Sequence, residues 1–411
     1  MHTTPISRLS KATLLTALLF CAMLGAYMAF GHQLIGALYA GELAPALRGV
    51  FGGAHPLEFY LQKTDRFVAA WGMVILAGCC TLLVQLGRLR QPAATVTVLD
   101  WALGALYLAI GYAFLSLYGY EGDWYRLDQM LGWTGAPPFQ HRVLFLWLAH
   151  VLLWAAPGTT ILTAYLATQV VALALALIAV RLFATLFIRR DLAFTAQFLA
   201  LAIWAPTVSY YTFYDVGIIA VYAAALYLLF HARFALYLAV FAVGTYNHEI
   251  TLFLVVASLF GLRRRMPLPK LAALLAAQLV LYVLVRWSLF YFLPTHAAWE
   301  GGKLAKNVAM LLHTPARVVA SLGPLLIWYA IALTGWSQAS AMLRRVTIIL
   351  PCLLLMTFVV GQLNEARQFD AFIPVTVALL CCRIQAMTAR VIPNRASAAA
   401  APLDGLPTPH A

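Results

Sequence analysis

The chain has 411 residues, of which 64% are hydrophobic and only 10% are charged. Soluble globular proteins are about 45–50% apolar and about 25% charged, so this composition excludes a soluble enzyme, a disordered chain and a nucleic-acid-binding module. The net charge of +13 could indicate nucleic-acid binding, but the basic residues lie between long apolar runs, as they do in the loops of membrane proteins.

The apolar runs predict an all-α fold, a polytopic transmembrane helix bundle. A spanning helix needs about 20 apolar residues, and the chain has room for about 12 crossings plus one re-entrant or interfacial helix. The runs are 12–31, 67–87, 97–118, 143–156, 159–180, 192–208, 216–230, 234–245, 250–262, 267–292, 318–336, 343–361 and 371–389. We interpret the first run as a retained helix, because it is long for a signal peptide and lacks a clear cleavage site.

Three of the runs are too short for an ordinary span. Segment 143–156 has 14 residues and is predicted to be a re-entrant or interfacial helix. Segments 234–245 and 250–262 are expected to form a pair of half-depth helices that meet near Asn247. Non-helical backbone at that point has to be buried in protein or line a wet cavity.

Lysine and arginine in the short loops predict the orientation, because such loops stay in the cytoplasm. Both termini are expected to be cytoplasmic. The cytoplasmic set is Arg8, Lys11, Arg88, Arg90, Arg181, Arg189, Arg190, Arg233, Arg263, Arg264, Arg265, Lys270, Arg344, Arg345, Arg383, Arg390 and Arg395. With this topology eleven of the 14 acidic residues fall on the outer side of the membrane.

The sequence divides into three expected regions. Residues 1–96 are N-terminal transmembrane helices, 97–390 are the transmembrane core, and 391–411 form a disordered cytoplasmic tail rich in Ala and Pro. All six cysteines lie inside apolar runs, so a disulfide framework is not expected, and no Cys/His spacing typical of a metal site occurs.

The outer loop 118–142 holds the first polar constellation, in which acidic residues stand among tyrosines and tryptophans. The Asp123 carboxylate can be held near the bilayer surface, where it could take a proton from an acceptor hydroxyl. Asp128 lies in the same loop, and His141 and Arg142 close it. Arg142 offers a forked, permanently charged donor suited to phosphate or carboxylate. The alternatives are a polar loop with an aromatic belt, and an arginine that snorkels to the headgroups.

Asp215 and the triplet at 247–249 form two further patches on the same side. Asp215 follows an aromatic run and opens a helix, where capping of that helix is the stronger interpretation. Asn247, His248 and Glu249 stand between the two short helices, and three polar side chains there are costly for a structural turn. His248 could bind a phosphate or move a proton.

Glu365 and Arg367 make up the last patch, just beyond segment 343–361. They are expected to pair with each other or with the other outer loops. Arg286, near the outer end of segment 267–292, is either a buried partner or an arginine that snorkels to the headgroups.

The early motifs resemble the first extracytoplasmic loops of bacterial integral-membrane glycosyltransferases of the GT-C class. They are Gly122-Asp123-Trp124-Tyr125, Pro137-Pro138 and Arg142-Val143-Leu144. Asn247-His248-Glu249 and Glu365-Ala366-Arg367 are similar to later patches of that class, and the resemblance covers about residues 97–390. The chain departs from the class in three ways: His248 replaces the usual Arg, two helices precede the Asp123 helix, and no early acidic doublet occurs. Glu58 and Asp65 therefore remain rivals for the catalytic acid.

The resemblance implies a GT-C-like core that transfers a sugar from a polyprenyl-phosphate-linked donor to a glycan, lipid or protein. The reaction would take place on the periplasmic face of a bacterial inner membrane. Asp123 would be the catalytic base, and Arg142, with Arg367 or His248, would bind the donor phosphate. The other substrate-binding candidates are His141, Asp128, Asp215, Asn247, Glu249 and Glu365. Membrane lipids are the other expected partners, nucleic acid is not one, and no cofactor is expected beyond a divalent cation, which stays open.

Two alternatives use the same outer patches differently. A polysaccharide polymerase or ligase would use a lipid-linked oligosaccharide, and such proteins tend to have a long outer loop, for which 32–66 and 293–317 are the longest candidates. A transporter or flippase is often built on broken helices such as 234–262. A transporter should distribute polar residues through the bilayer, whereas a transferase concentrates them at its outer edge.

Overall fold

The computed structural model describes residues 5–40, 56–88, 97–119, 129, 131–134, 139–208, 214–293 and 302–391. Within these ranges the regular structure is helical and contains no strand, which confirms the all-α prediction. Six helical segments are long and apolar enough to cross a membrane, consistent with an integral membrane protein. They are Leu57–Arg88, Val98–Ser116, Ile161–Ala184, Leu268–Phe292, Ala341–Val359 and Ala366–Ala389.

The chain divides into two compact units, residues 1–120 and 121–411. The first unit contains α1 (Pro5–Ala40), α2 (Leu57–Arg88) and α3 (Val98–Gly119), with α2 packed against both of the others. Arg88 at the end of α2 forms a buried ion pair of 2.5 Å with Asp100 in the first turn of α3. This pair closes the polar end of the α2–α3 hairpin.

The second unit carries the remaining described helices. They are α4 (Leu144–Ala155), α5 (Ile161–Ala184), α6 (Phe194–Trp204), α7 (Asp215–Phe230), α8 (Phe234–Asn247), α9 (Phe253–Leu262), α10 (Leu268–Phe292), α11 (Leu304–His313), α12 (Pro315–Leu333), α13 (Ala341–Val346), α14 (Ile349–Val359) and α15 (Ile373–Val391). Short 3-10 segments join several of them, including Phe139–His141, Glu249–Leu252 and Ala366–Phe372.

The core of the second unit is built around α7, which packs against α5, α8 and α15. Its apolar residues surround the whole helix, and Tyr222 and Leu226 are fully buried, as expected for a helix enclosed by others. Gly217 near the start of α7 allows a close approach, because a Cβ there would lie 2.1 Å from Cε2 of Phe145 on α4. The absent side chain lets α4 begin directly against the start of α7.

The three short apolar runs form short helices. Segment 143–156 is the 12-residue helix α4. The segments around Asn247 are α8 and α9, and His248 between them is extended (φ −163°, ψ 140°). The Nδ1 atom of His248 accepts the N–H of Ile250 at 3.1 Å, so its side chain caps the 3-10 segment Glu249–Leu252. The break between α8 and α9 is therefore stabilised by a specific side-chain hydrogen bond.

The two stretches proposed as long outer loops were assigned wrongly along much of their length. Helix α1 continues to Ala40 and α2 begins at Leu57, so both ends of 32–66 are helical. Helix α11 occupies Leu304–His313 within 293–317. In 32–66 the flanking helices continue past the end of their apolar runs, and in 293–317 a separate short helix forms, whereas hydropathy alone locates only long apolar runs.

Opposite charges lie at opposite ends of α9. Glu249 precedes this helix, and Arg263–Arg265 follow it directly. Helix α9 packs against α13, which brings Arg344 and Arg345 to the same basic end. The two basic loops assigned to one side by the sequence therefore lie together in the fold, away from the acidic patches.

Candidate functional site

Four polar patches that are distant in sequence meet at one end of the second unit. We call this assembly the charged cluster. Its members are Arg142, Tyr214, Asp215, His248, Glu249, Arg286, Glu365 and Arg367. Charged side chains within apolar helical proteins are expensive and mark functional sites by default, so this cluster is the candidate site.

The centre of the charged cluster is a forked ion pair. Nε of Arg142 donates to Oε2 of Glu249 at 3.1 Å, and Nη2 of Arg142 donates to Oε1. The Arg142 side chain is 8% exposed and the Glu249 side chain is 27% exposed, so only the carboxylate reaches solvent. Burial alone would raise the pKa of Glu249, but Arg142 and Arg286 hold it well below its usual range. Glu249 is therefore ionised and a weak base.

Arg286 on α10 is a second guanidinium beside the same carboxylate. Its Nη1 atom lies 3.9 Å from Oε2 of Glu249 and donates to the carbonyl of His141 at 3.3 Å. Both contacts are longer than those of Arg142. Arg286 is thus held next to Glu249 without a close forked pairing to it, which confirms the buried-partner interpretation over snorkelling.

Tyr214 lies between two guanidiniums. The Cζ atom of Arg142 stands 4.1 Å from the centre of the Tyr214 ring, and Nη1 of Arg367 donates to the Tyr214 hydroxyl at 2.8 Å. Arg367 also donates through Nη2 to Glu365 at 2.9 Å and lies 3.5 Å from Asp215. The expected pairing of Glu365 with Arg367 is confirmed, and Arg367 reaches another outer patch as well.

Asp215 does not cap α7 through its side chain. Tyr214 occupies the cap position without a side-chain bond, and Asp215 is the first residue of the helix. Its carboxylate is turned to Arg367, because a guanidinium nearby is a stronger partner than the free N–H groups of the first turn. The capping interpretation of Asp215 was therefore wrong, although an acid at this helix end remains electrostatically favourable.

The two histidines of the site, His141 and His248, are buried. Burial lowers the pKa of His248 well below its usual value, and Arg142 lowers it further. Burial also lowers the pKa of His141, whose Nε2 atom lies 3.1 Å from the carbonyl of Leu293. His141 thus fastens the segment before α4 to the end of α10. Burial therefore disfavours the positively charged form of both rings.

The backbone at the helix break ties the pieces of the site together. The N–H of Val143 donates to the carbonyl of Tyr246 at 2.9 Å. The buried Asn247 donates through Nδ2 to the carbonyl of Tyr214 at 3.0 Å. These two bonds fix the start of α4 and the start of α7 against the break, so Asn247 positions other residues of the site.

Several helices begin at the charged cluster. Helix α4 starts two residues after Arg142, α7 starts at Asp215, and 3-10 segments start at Glu249 and at Ala366. The ends of α8 and α10 lie there too. The N-terminus of a helix presents free N–H groups and a partial positive charge, which favours an anion.

Asp123 and Asp128 lie outside the described residues. Among the rivals, Glu58 is an exposed residue in the first turn of α2. Asp65 accepts the Tyr27 hydroxyl at 2.8 Å and lies 2.9 Å from Nε2 of His32, so it has partners within the first unit.

Sequence reasoning missed two members of the site region and underrated a third. Tyr214 belongs to a run of aromatic residues, and its position directly before Asp215 was the available signal. Asp370 is fully buried and interacts with Asp215, yet its only sequence signal was an acid next to an apolar run. Arg286 was noted as a partner but not as a site residue, because it lies inside a long apolar helix.

Metal binding finds no direct support in the geometry. Across the described ranges, no group of three or more His, Cys, Asp and Glu side chains is arranged to hold a metal ion.

Comparison of the chain with protein-family models, curated proteins and solved structures finds no match in any of the three. The functional assignment therefore rests on the residues of this chain.

Proposed function

We propose that the chain is a membrane glycosyltransferase that moves a sugar from a polyprenyl-phosphate-linked donor to an extracytoplasmic acceptor. In this proposal the helices form a GT-C-like bundle of about 12 crossings. The observation that carries it is the charged cluster, in which three arginines surround Glu249 and Tyr214 at one end of an apolar helix bundle.

An anionic ligand suits this end of the bundle. Around Glu249 the two guanidiniums of Arg142 and Arg286 exceed the one carboxylate by a single positive charge, because the cluster's other acids contact Arg367 instead. The helix starts around it add partial positive charge. A phosphate on a lipid carrier supplies the missing negative charge, while its apolar tail can lie among the exposed apolar surfaces of the helices.

The arginines take different roles. Both forked donors of Arg142 are already directed at Glu249, so Arg142 mainly orients that carboxylate and stacks on Tyr214. Arg286 makes only long contacts. Arg286 is therefore the arginine that loses least when its guanidinium turns toward a phosphate. We assign binding of the donor phosphate to Arg286 in place of Arg142.

The reaction needs a base and a stabilised leaving group. The acceptor hydroxyl oxygen attacks the anomeric carbon, and the bond from that carbon to the phosphate oxygen breaks, so polyprenyl phosphate leaves with the bonding electrons. The acceptor proton goes to a carboxylate base. Glu249 is a poor candidate because its pKa is held low. Asp123 keeps this role on the strength of the resemblance alone.

The test is release of polyprenyl phosphate from a panel of polyprenyl-phosphate sugars by the purified full-length protein in lipid nanodiscs. Removal of one donor to a developing oxyanion costs about 100- to 1000-fold in rate, so Arg286→Ala should lose at least about 100-fold. Asp123→Asn should abolish release. Arg264→Ala, at the opposite basic end of α9, is the matched control and should keep full activity.

Two results would overturn the proposal. One is wild-type release that Arg286→Ala and Asp123→Asn both leave unchanged. The other is no release from any monosaccharide donor by folded protein. If only a lipid-linked oligosaccharide is consumed, the protein is a polymerase or ligase.

The helix break favours one alternative of another class. Extended backbone at His248 between two short helices is the arrangement that transporters use at their substrate sites. A flippase would move an intact lipid-linked sugar across liposomes without releasing polyprenyl phosphate. Translocation that is lost in Arg286→Ala, with no chemical turnover, would select this function.

A further inference from the structure

Helix α11 exposes an unpartnered apolar stripe. Leu304, Val308, Leu311 and Leu312 are 45%, 40%, 43% and 71% exposed. They follow each other at i, i+4, i+7 and i+8, the spacing that places residues on one side of a helix. A stripe of this kind on a helix of ten residues requires an apolar environment next to it.

The inward face of α11 is fixed to the end of a candidate membrane span. Asn307 is fully buried, and its Nδ2 atom lies within 3.1 Å of the carbonyls of Thr357, Phe358 and Gly361. The N–H of Lys303 donates to the carbonyl of Val359 at 2.9 Å. The last carbonyls of a helix lack partners within it, so α11 caps the end of α14.

The third face of α11 is polar. Lys306 and His313 are exposed, and successive residues turn by about 100°, so both lie roughly opposite the apolar stripe. The helix therefore presents three sides: one to the protein, one apolar and one charged. This is the pattern of a helix that lies along a membrane surface with its apolar side among acyl chains.

We propose that α11 lies in the membrane–water interface, with the stripe of Leu304, Val308, Leu311 and Leu312 in contact with phospholipid. Its position supports lipid over a protein partner, because α11 is bonded to the end of α14, where a candidate membrane span ends. Only Thr314 separates it from α12, whose Val319 and Ile327 are also exposed.

The interface contact has a consequence for the charged cluster. The Oδ1 atom of Asn307 accepts the N–H of Leu363 at 3.1 Å, two residues before Glu365. The segment that carries Glu365 and Arg367 is thus tied to a helix that rests on the lipid. This inference does not depend on the reaction, because lipid contact can be measured without turnover.

Photo-crosslinking in nanodiscs of phosphatidylethanolamine and phosphatidylglycerol tests the contact. The photoreactive residue p-benzoylphenylalanine replaces Leu312 or Val308 in one pair of full-length variants, and Lys306 or His313 in the matched pair. All four positions are exposed, so folding should be retained, and size-exclusion profiles in detergent check this.

We expect lipid adducts, detected by mass spectrometry, to be at least about five-fold more abundant at the apolar positions than at the polar ones. Equal adduct yields on the two sides would overturn the inference. So would crosslinks from Leu312 mainly to a second copy of the chain, since the stripe would then be a protein interface.

Discussion

Replacing Glu249 with glutamine should destabilise the protein more than replacing its partner Arg142 with methionine. Glu249→Gln leaves Arg142 and Arg286 facing each other without the carboxylate that they share. Arg142→Met leaves Glu249 with Arg286 still 3.9 Å away and with its own partial exposure to solvent. The asymmetry follows from two guanidiniums contacting one carboxylate.

The magnitudes follow from burial. Removing one partner of a buried pair costs about 3–5 kcal/mol, and the nearly buried Arg142 places Glu249→Gln within that range. In Arg142→Met the remaining partner reduces the cost, while the lost stacking on Tyr214 adds about 1 kcal/mol, for a total of about 2–3 kcal/mol. For a chain of this length, the difference of about 1–2 kcal/mol corresponds to a shift in Tm of about 1–2 °C.

Thermal unfolding of the purified variants in one detergent, followed by tryptophan fluorescence, measures this difference. Glu58→Gln changes an exposed acid in the first turn of α2 and serves as the control, with an expected change within about 0.5 kcal/mol. A lower Tm for Arg142→Met than for Glu249→Gln would refute the shared-carboxylate geometry. Equal loss in both would mean that Arg286 contributes nothing.

Three further outcomes are expected. Asn307→Ala should cost about 1–3 kcal/mol in thermal unfolding, because buried carbonyls at the end of α14 lose their partner. Gly217→Ala should cost about 1–3 kcal/mol by forcing Phe145 aside, whereas Gly323→Ala, where a Cβ meets nothing within 4 Å, should be neutral or stabilising. The lowered pKa of Glu249 stabilises the fold fully above its unfolded value of 4.5, and this stability is lost as pH falls below it. Glu249→Gln should therefore unfold with a flatter pH dependence than wild type between about pH 5 and pH 3, and an unchanged slope would contradict this.

The all-α architecture could be predicted because apolar runs dominate the chain. The break near Asn247 could also be predicted, since three polar residues interrupt two apolar segments and unpaired backbone must find partners there. Helix α11 could not be predicted in this way. Its apolar residues occupy only one side of ten residues, and Asn307 faces inward to bonds that exist only once α14 has ended beside it.

The members of the charged cluster were largely predictable, but their pairings were not. Topology assigned Arg142, Glu249 and Glu365 to one side of the membrane, where long side chains can meet. Which acid each arginine contacts depends on helix packing and side-chain direction, neither of which is encoded in local spacing. Tyr214 illustrates the limit, because its role comes from lying between guanidiniums that are 225 positions apart in the sequence, at Arg142 and Arg367.

The helix break accounts for why the site forms at this place. When α8 ends at Asn247, the carbonyl of Tyr246 loses its helical partner and accepts the N–H of Val143 instead. That bond holds Val143, the residue after Arg142, against the helix break. The break directly precedes Glu249 in the sequence. Interrupting the helix leaves buried backbone groups without their helical partners. The hydrogen bonds that replace those partners also bring Arg142 and Glu249 together. A continuous helix through His248 would satisfy its own backbone, and the carbonyl of Tyr246 would no longer be open to the N–H of Val143 at the start of α4.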